Sequence, residues 1–289
     1  MAPPVVPSFA PLLVELVPLS PSSDYGYLAV IRFNRPDRAN ALSPEAYLAW
    51  SNALTWTADT EEVRAVILTG NGRFYCSGQE LSLPSKQSMA GDEFEQTLRR
   101  RARVTEQLVG KFIDFPKLLV AAVNGPAYGF GVTHLALCDA VYATEEATFR
   151  TPFMELGFCA EGCSSVLFPR QGEGQACHAA QLMGRQFSAK TMAECQFVSQ
   201  VLPSDRFLQH VLDIVVPAAR YPIQAVRQSK ALIMSAEERA FLHEVNRREM
   251  ALLVERMLSE ECHNAMIKFL ATMQKRTRKQ ASPASSSKL

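Results

Sequence analysis

Leu118-Leu119-Val120-Ala121-Ala122-Val123-Asn124-Gly125-Pro126-Ala127-Tyr128-Gly129-Phe130-Gly131 decides the fold class of this chain. Leu118 to Val123 is wholly apolar and reads as a short buried strand. Asn124-Gly125-Pro126 breaks it, and a helix begins near Gly129. The pattern recurs outward from here. Tyr25 to Phe33 alternates and reads as a strand, as does Val63 to Leu68. Between them, Ser43-Pro44 starts a helix running to about Thr57, with Ser as the cap and Pro at the first helical position. Asp92 to Phe115 is a long amphipathic helix with Phe94, Leu98, Ala102, Thr105, Leu108 and Phe112 on one face. Its Arg99-Arg100-Arg101 run reads as solvated surface. Ala140 to Ala143 is a further strand, and beyond Cys163 the chain is mostly helical through about Lys275. Strands alternating with helices, then helices alone, make an α/β protein with a helical C-terminal region. No repeat is visible as sequence identity. Residues 1–24 are rich in Pro and Ser and read as irregular; residues 276–289 read as a flexible polar tail.

The chain has 289 residues, enough for one large domain or two small ones, and 47% of them are hydrophobic, enough for a sizeable core. Thirty basic and 29 acidic side chains leave a net charge of +1, which excludes a general attraction to nucleic acid or anionic membrane. The seven cysteines are odd in number, and several lie in apolar runs, so reduced thiols are expected. Cys159 and Cys163 have no matching second pair, which argues against a metal site. No apolar run approaches the ~18 residues of a membrane span. Met1 to Pro7 lacks the basic amphipathic pattern of a mitochondrial presequence. Ser287-Lys288-Leu289 matches a peroxisomal import address, so an import receptor is an expected partner.

Three segments carry candidate chemistry. In Leu156-Gly157-Phe158-Cys159-Ala160-Glu161-Gly162-Cys163-Ser164-Ser165, Glu161 is one carboxylate among small and apolar residues at the start of a helical pattern. Poor hydration there raises its pKa and its basicity. The competing reading is that Glu161 caps the helix that follows, since helix N-termini attract acids. In Phe74-Tyr75-Cys76-Ser77-Gly78-Gln79-Glu80-Leu81, the Ser-Gly turn is expected to leave the Ser77 N–H unpaired. In Asn124 to Gly131, the opening turn of a helix leaves N–H groups without intrahelical partners, and Gly129 and Gly131 permit close approach of a ligand. Two such donors on one carbonyl oxygen stabilise an enolate, at about 3 kcal/mol each. A base near the α-carbon then moves its proton. Gly129-x-Gly131 is also half of a dinucleotide fingerprint, but His134 stands where the third glycine belongs. His134 reads as a helix residue rather than a catalyst. No nucleophile elbow and no Walker loop is present.

From about Val30 to Pro203 the chain resembles the crotonase (enoyl-CoA hydratase/isomerase) superfamily, most of all its peroxisomal Δ3,Δ2-enoyl-CoA isomerases. The resemblance rests on Asn34-Arg35-Pro36 with Asn40-Ala41-Leu42, on Cys76 to Leu81, on Val123 to Gly131 with Cys138-Asp139-Ala140, and on Thr151-Pro152-Phe153 through Ser165. It implies a spiral of ββα repeats over residues 25–215 and a C-terminal helical region over 216–275 that builds a homotrimer. It implies an oxyanion hole from the backbone N–H groups of Ser77 and Phe130, with Glu161 as the single base. Hydratases of the family carry two glutamates, and the matching positions here hold Thr133 and Phe153. Glu155 is the nearest other acid and is expected to face away. Arg35, Arg38 and Ala39 match the wall that receives the CoA part of a fatty enoyl-CoA. Gly78, Gln79, Leu81, Gly129, Phe153 and Phe158 are expected around the acyl group. The implied reaction moves a 3-enoyl-CoA double bond to the 2-trans position, with no cofactor beyond the substrate's own coenzyme A. Its setting would be the peroxisomal matrix or a related microbody. Two other readings stand beside it: a crotonase-like acyl-CoA-binding module without catalysis, and another crotonase reaction such as hydration, dienoyl-CoA isomerisation or thioester hydrolysis.

Overall fold

The computed structural model describes residues 3–21, 25–81, 92–170 and 181–281. The apolar runs form strands β1 (Leu12–Pro18), β2 (Tyr27–Phe33), β3 (Val63–Gly70), β4 (Leu118–Val123), β5 (Ala127–Tyr128), β6 (Ala140–Thr144), β7 (Thr148–Arg150), β8 (Phe187–Ser188) and β9 (Gln200–Leu202). The helices are α1 (Pro44–Asp59), α2 (Asp92–Ile113), α3 (Phe130–Thr133), α4 (Phe153–Leu156), α5 (Ser164–Arg170), α6 (Ala189–Glu194), α7 (Phe207–Ala219), α8 (Ile223–Ile233), α9 (Ala236–Leu258) and α10 (Glu260–Ala281). One sheet has the order β1-β2-β3-β4-β6-β9, parallel throughout except for the antiparallel edge strand β1. A smaller sheet has the order β5-β7-β8.

The two sheets are linked turn by turn. β4 runs into β5 and then α3; β6 runs into β7 and then α4. Each turn leaves one strand in each sheet and one helix, which is the ββα spiral of the crotonase fold. Parallel bridges from Leu42 to Gln79 and from Cys76 to Ala127 continue the second layer among the earlier loops. The main sheet is covered on both faces, which explains its near-continuous apolar strands. Leu28, Val30, Ala65, Ile67, Val120 and Ala122 face α7, where Phe207, Val211 and Val215 meet them. The alternate residues Ala29, Ile31, Phe33, Val66, Leu68 and Ala121 point into the larger core with Trp50 and Phe112. Ser43 caps α1 as the sequence predicts, its hydroxyl accepting from the Ala46 N–H at 3.3 Å.

Three boundaries differ from the sequence reading. Residues 12–18 form β1, so the N-terminal segment is not wholly irregular. Prolines flank this stretch and hide its alternation, and Pro18 is tolerated because β1 lies at the sheet edge. β8 and β9 interrupt the helical region after Cys163. Helix α10 runs on to Ala281, shortening the tail expected from residue 276. Ser287, Lys288 and Leu289 lie outside the described residues.

At the C-terminal end, α9 lies along α2, with the Asn246 Nδ2 donating to the Glu106 carbonyl at 2.9 Å. A third apolar cluster joins Phe153, Leu156 and Phe158 to Met250 and Leu253 of α9 and to Cys262 and Met266 of α10. The helical C-terminal region thus closes over the loops that carry the chemistry.

Candidate active site

The site begins with a loop held by one buried amide. Ala39 and Asn40 are both left-handed, with φ of 51° and 54°. Asn40 tolerates this better than most residues, and its side chain secures it. Its Oδ1 accepts from the Arg35 N–H at 2.9 Å, and its Nδ2 donates to the Phe74 carbonyl at 2.7 Å and the Asn71 carbonyl at 3.0 Å. The 35–42 and 71–78 loops are therefore one rigid unit. Within it the Ser77 N–H donates to the Ala39 carbonyl at 3.1 Å. This corrects the expectation of an unpaired donor at Ser77: the left-handed turn at Ala39 brings its carbonyl under that N–H, so an incoming oxygen must share it or displace Ala39.

The second loop abuts the first. A Cβ on Gly78 would sit 2.6 Å from the Tyr128 carbonyl oxygen, and one on Gly131 2.5 Å from that of Cys76. Glycine at both positions is what allows the approach. Gly129 caps α3 at φ 54°, ψ −123°. The Phe130 N–H that follows has no intrahelical acceptor, as the first turn of a helix requires, and donates to no other group among the described residues. The Phe130 ring is buried against Tyr47, Trp50 and His134. His134 Nδ1 lies 2.6 Å from the Phe130 carbonyl, and its Nε2 lies 2.9 Å from the Tyr75 hydroxyl. Burial pushes the imidazole down to about 4, so it is neutral near pH 7. The tautomer that satisfies both contacts has Nδ1–H donating and Nε2 accepting. His134 therefore anchors the Phe130 peptide from behind, a structural part as the sequence suggested.

Glu161 is 7% exposed, and among the described residues its ionisation is governed by burial and the Glu249 carboxylate, with no cation and no hydrogen-bond donor set against it. Burial pushes it up to about 8, and the Glu249 carboxylate adds to the rise. It does not cap the following helix. Gly162 and Cys163, both left-handed at φ 66° and 62°, separate it from α5. The cap is Glu249, reaching from α9: Oε2 accepts from the Cys163 N–H at 2.7 Å and Oε1 from the Ser165 N–H at 2.9 Å. Nothing local in the sequence announces this, because the partners lie 84 and 86 residues apart. A Cβ on Gly162 would lie 3.0 Å from Thr133 Oγ1 and 3.5 Å from the Phe130 ring, so the Glu161 turn is seated against α3.

Glu161 opens into a cavity of about 420 Å³, within the range of small-molecule sites. Its apolar wall comes from Leu42, Tyr47 and Leu48, from Leu98, Ala102 and Val104 of α2, and from Met250, Leu253, Val254 and Met257 of α9. Gln79 lines it as expected. Phe153 and Phe158 do not: they are buried in the third cluster, which Leu81 also packs against, because α4 and the left-handed turn at Gly157 that ends it direct them towards α9 and α10. Met250 and Leu253, which the sequence reading missed, belong to both the cluster and the cavity wall. Arg35 is already engaged, its Nη1 donating to the Ala41 carbonyl at 2.7 Å and to Glu80 Oε2 at 2.9 Å. Arg38 is exposed, and Arg100 and Arg101, read as plain surface, border the cavity. Glu155 pairs with Arg150 and is half exposed, away from the cavity as expected. Among the described residues no group of His, Cys, Asp and Glu is placed to hold a metal, and no helix is long and apolar enough to cross a membrane.

Residues 24–279 match the family described as enoyl-CoA hydratase/isomerase. The chain is 39% identical over 245 residues to human enoyl-CoA delta isomerase 2, covering 85% of this chain and 61% of that protein. It is 37% identical to mouse peroxisomal enoyl-CoA delta isomerase 3, covering 83% and 74%. Human chromodomain Y-like protein is 30% identical, with 85% and 40% covered. The chain thus spans about three-fifths of the first of these relatives. Among solved structures, an enoyl-CoA hydratase/isomerase from Pseudoalteromonas atlantica superposes with a TM-score of 0.76 at 27% identity, covering 90% of this chain and 97% of that one. OdaA from Pseudomonas aeruginosa gives 0.77 at 27%, covering 90% and 98%.

Proposed function

The chain belongs to the enoyl-CoA hydratase/isomerase family, and on that footing we propose that it is a Δ3,Δ2-enoyl-CoA isomerase acting in the β-oxidation of unsaturated fatty acids. The observation that carries the proposal is Glu161, buried with no cation or hydrogen-bond donor on its carboxylate among the described residues, raised to about 8, and open to a cavity with apolar walls. A carboxylate poised near neutral pH is a competent general base. In the proposed reaction the thioester oxygen is held by the Phe130 N–H and by the Ser77 N–H, the latter shared with Ala39. Glu161 takes a proton from C2. The electron pair delocalises through the carbonyl and the C3–C4 double bond as a dienolate, stabilised by the two donors. The protonated Glu161 then returns a proton at C4, the double bond settles between C2 and C3, and the carboxylate is regenerated. One base serves both steps over one face of a planar intermediate.

Hydration needs a second acid to handle water. Thr133 and Phe153 stand at the positions where hydratases of the family carry glutamates, one with a hydroxyl and one with a ring buried in an apolar cluster. The names of the human and mouse isomerases support the reaction, and that of the mouse protein supports a peroxisomal location. The substrate brings its own coenzyme A, with Arg100 and Arg101 at the cavity border available to its charged part. A homotrimer belongs to the same proposal: α8 buries none of its residues within one chain, and Leu232 and Ile233 at its end are each 84% exposed. The second reading kept beside it is an acyl-CoA-binding module without turnover.

Purified protein incubated with a 3-enoyl-CoA separates these readings. The isomerase yields the 2-trans-enoyl-CoA without added cofactor; in deuterated water, transfer by one sheltered base delivers part of the original C2 hydrogen to C4. Tight binding with no conversion supports the module instead, and a 3-hydroxyacyl-CoA product supports hydration.

A further inference from the structure

Gly162 and Cys163 form a pair of consecutive left-handed residues. The turn they make sets the N–H groups of Cys163 and Ser165 on one anion. Here the anion is a side chain from the far end of the fold. Glu249 places one carboxylate oxygen on the Cys163 N–H at 2.7 Å and the other on the Ser165 N–H at 2.9 Å, and is itself only 7% exposed. Cysteine at φ 62° is a strained backbone, of the kind that persists where surroundings hold it. Glu161 is two residues before Cys163, and its carbonyl accepts from the Ser164 N–H at 3.2 Å, so the same turn carries the base. On the other side of Glu249, Met250 and Leu253 of the same helix line the cavity.

We propose that Glu249 is the positioning residue of this site: its ionised carboxylate locks the left-handed turn that presents Glu161 and keeps a negative charge set against the base. The inference rests on the reading of Glu161 as that base. Two buried carboxylates in electrostatic contact do not readily ionise together. Burial raises Glu249 too, but its carboxylate accepts two N–H bonds that favour the ionised form, whereas among the described residues Glu161 accepts none, so Glu249 carries the charge and Glu161 takes the proton first. The other groups around Glu161 do not supply that charge. The Tyr47 hydroxyl from α1 is raised by burial and neutral, and the Cys159 thiol is raised to about 12 and neutral. Burial likewise raises the Cys163 thiol, and Thr133 of α3 offers only a hydroxyl. Glu45, Glu80, Arg100 and Arg101 border the same cavity at its solvated part.

The test compares wild type, Glu249→Gln and Glu249→Asp as full chains, reading the pH dependence of kcat with a 3-enoyl-CoA and, separately, infrared titration of the buried carboxyl in the free protein, assigned with Glu161→Gln. Losing the charge makes Glu161 easier to ionise and a weaker base. Glu249→Gln is expected to move the acid limb down by about one pH unit or more and to lower the alkaline plateau roughly tenfold. Glu249→Asp keeps the charge, so its limb is expected to stay near that of wild type even where the shorter side chain slows the reaction. An unmoved limb and an unmoved infrared titration in folded Glu249→Gln overturn the proposal, because a purely structural cap lowers the rate without shifting the titration. A limb lowered in Glu249→Asp overturns it as well, and that arm decides if Glu249→Gln does not fold. If wild type turns over no enoyl-CoA, the functional reading fails while the infrared titration still decides the role of Glu249.

Discussion

Glu161 costs stability in order to be basic. Its folded value of about 8 lies above the ordinary 4.5. Between those values the folded state holds a proton that the unfolded chain releases, so the group's contribution to stability falls as pH rises through this window. Above pH 8 the cost is of order 5 kcal/mol for a buried carboxylate. Glu161→Gln is therefore expected to melt above wild type at pH 9 and close to it near pH 4.5, while losing turnover; differential scanning calorimetry across pH checks this. Activity should follow the same titration, with kcat/KM rising through an acid limb near pH 8 and only about a tenth of the base ionised at pH 7. A limb near the ordinary carboxylate range would contradict the buried, unpaired environment. His134 works in the opposite direction. Its folded value of about 4 lies below the ordinary 6.5, so its contribution is intact above pH 6.5 and is lost as pH falls towards 4. Glu161 was legible in the sequence because no other charge stands near it. Glu249 was not, because its two partners are distant in sequence and its own helix has charged residues on every side.

At the level of elements, the strands and long helices were legible where one physical rule acts alone. The apolar runs of β2, β3 and β4 follow from burial on both sheet faces, and Ser43 marks α1 by its cap. Failures came where two rules compete. β1 alternates as an edge strand should, but the surrounding prolines read as irregular. Phe153 and Phe158 have the chemistry of an acyl pocket, yet α4 and the turn that ends it bring them into the contact with α9 and α10. Helix α9 is the element that joins cluster and cavity, and single substitutions separate its two roles. Leu253→Ala removes a buried side chain from both, with an expected loss of about 2–4 kcal/mol by chemical denaturation and a raised KM for long acyl chains. Met257, half-buried on the cavity wall, should raise KM on replacement by Ala with a stability change under about 1 kcal/mol.

The molecule as a whole is a parallel-sheet spiral whose later helices fold back over its loops. Its α/β class could be read from strand–helix alternation, whereas the spiral itself came only through resemblance, since its turns share geometry and not sequence. The proposed trimer predicts that replacing Leu232 and Ile233 together by Asp releases monomers in sedimentation experiments while circular dichroism is unchanged, because neither side chain is buried within the chain. The central claim is that Glu161, alone, moves the proton. The measurement that tests it most directly is conversion of a 3-enoyl-CoA to its 2-enoyl isomer by wild type and Glu161→Gln side by side, with acyl-CoA binding measured for both. Conversion by wild type alone, with binding retained in the variant, is the predicted result. Undiminished conversion by Glu161→Gln would contradict the account.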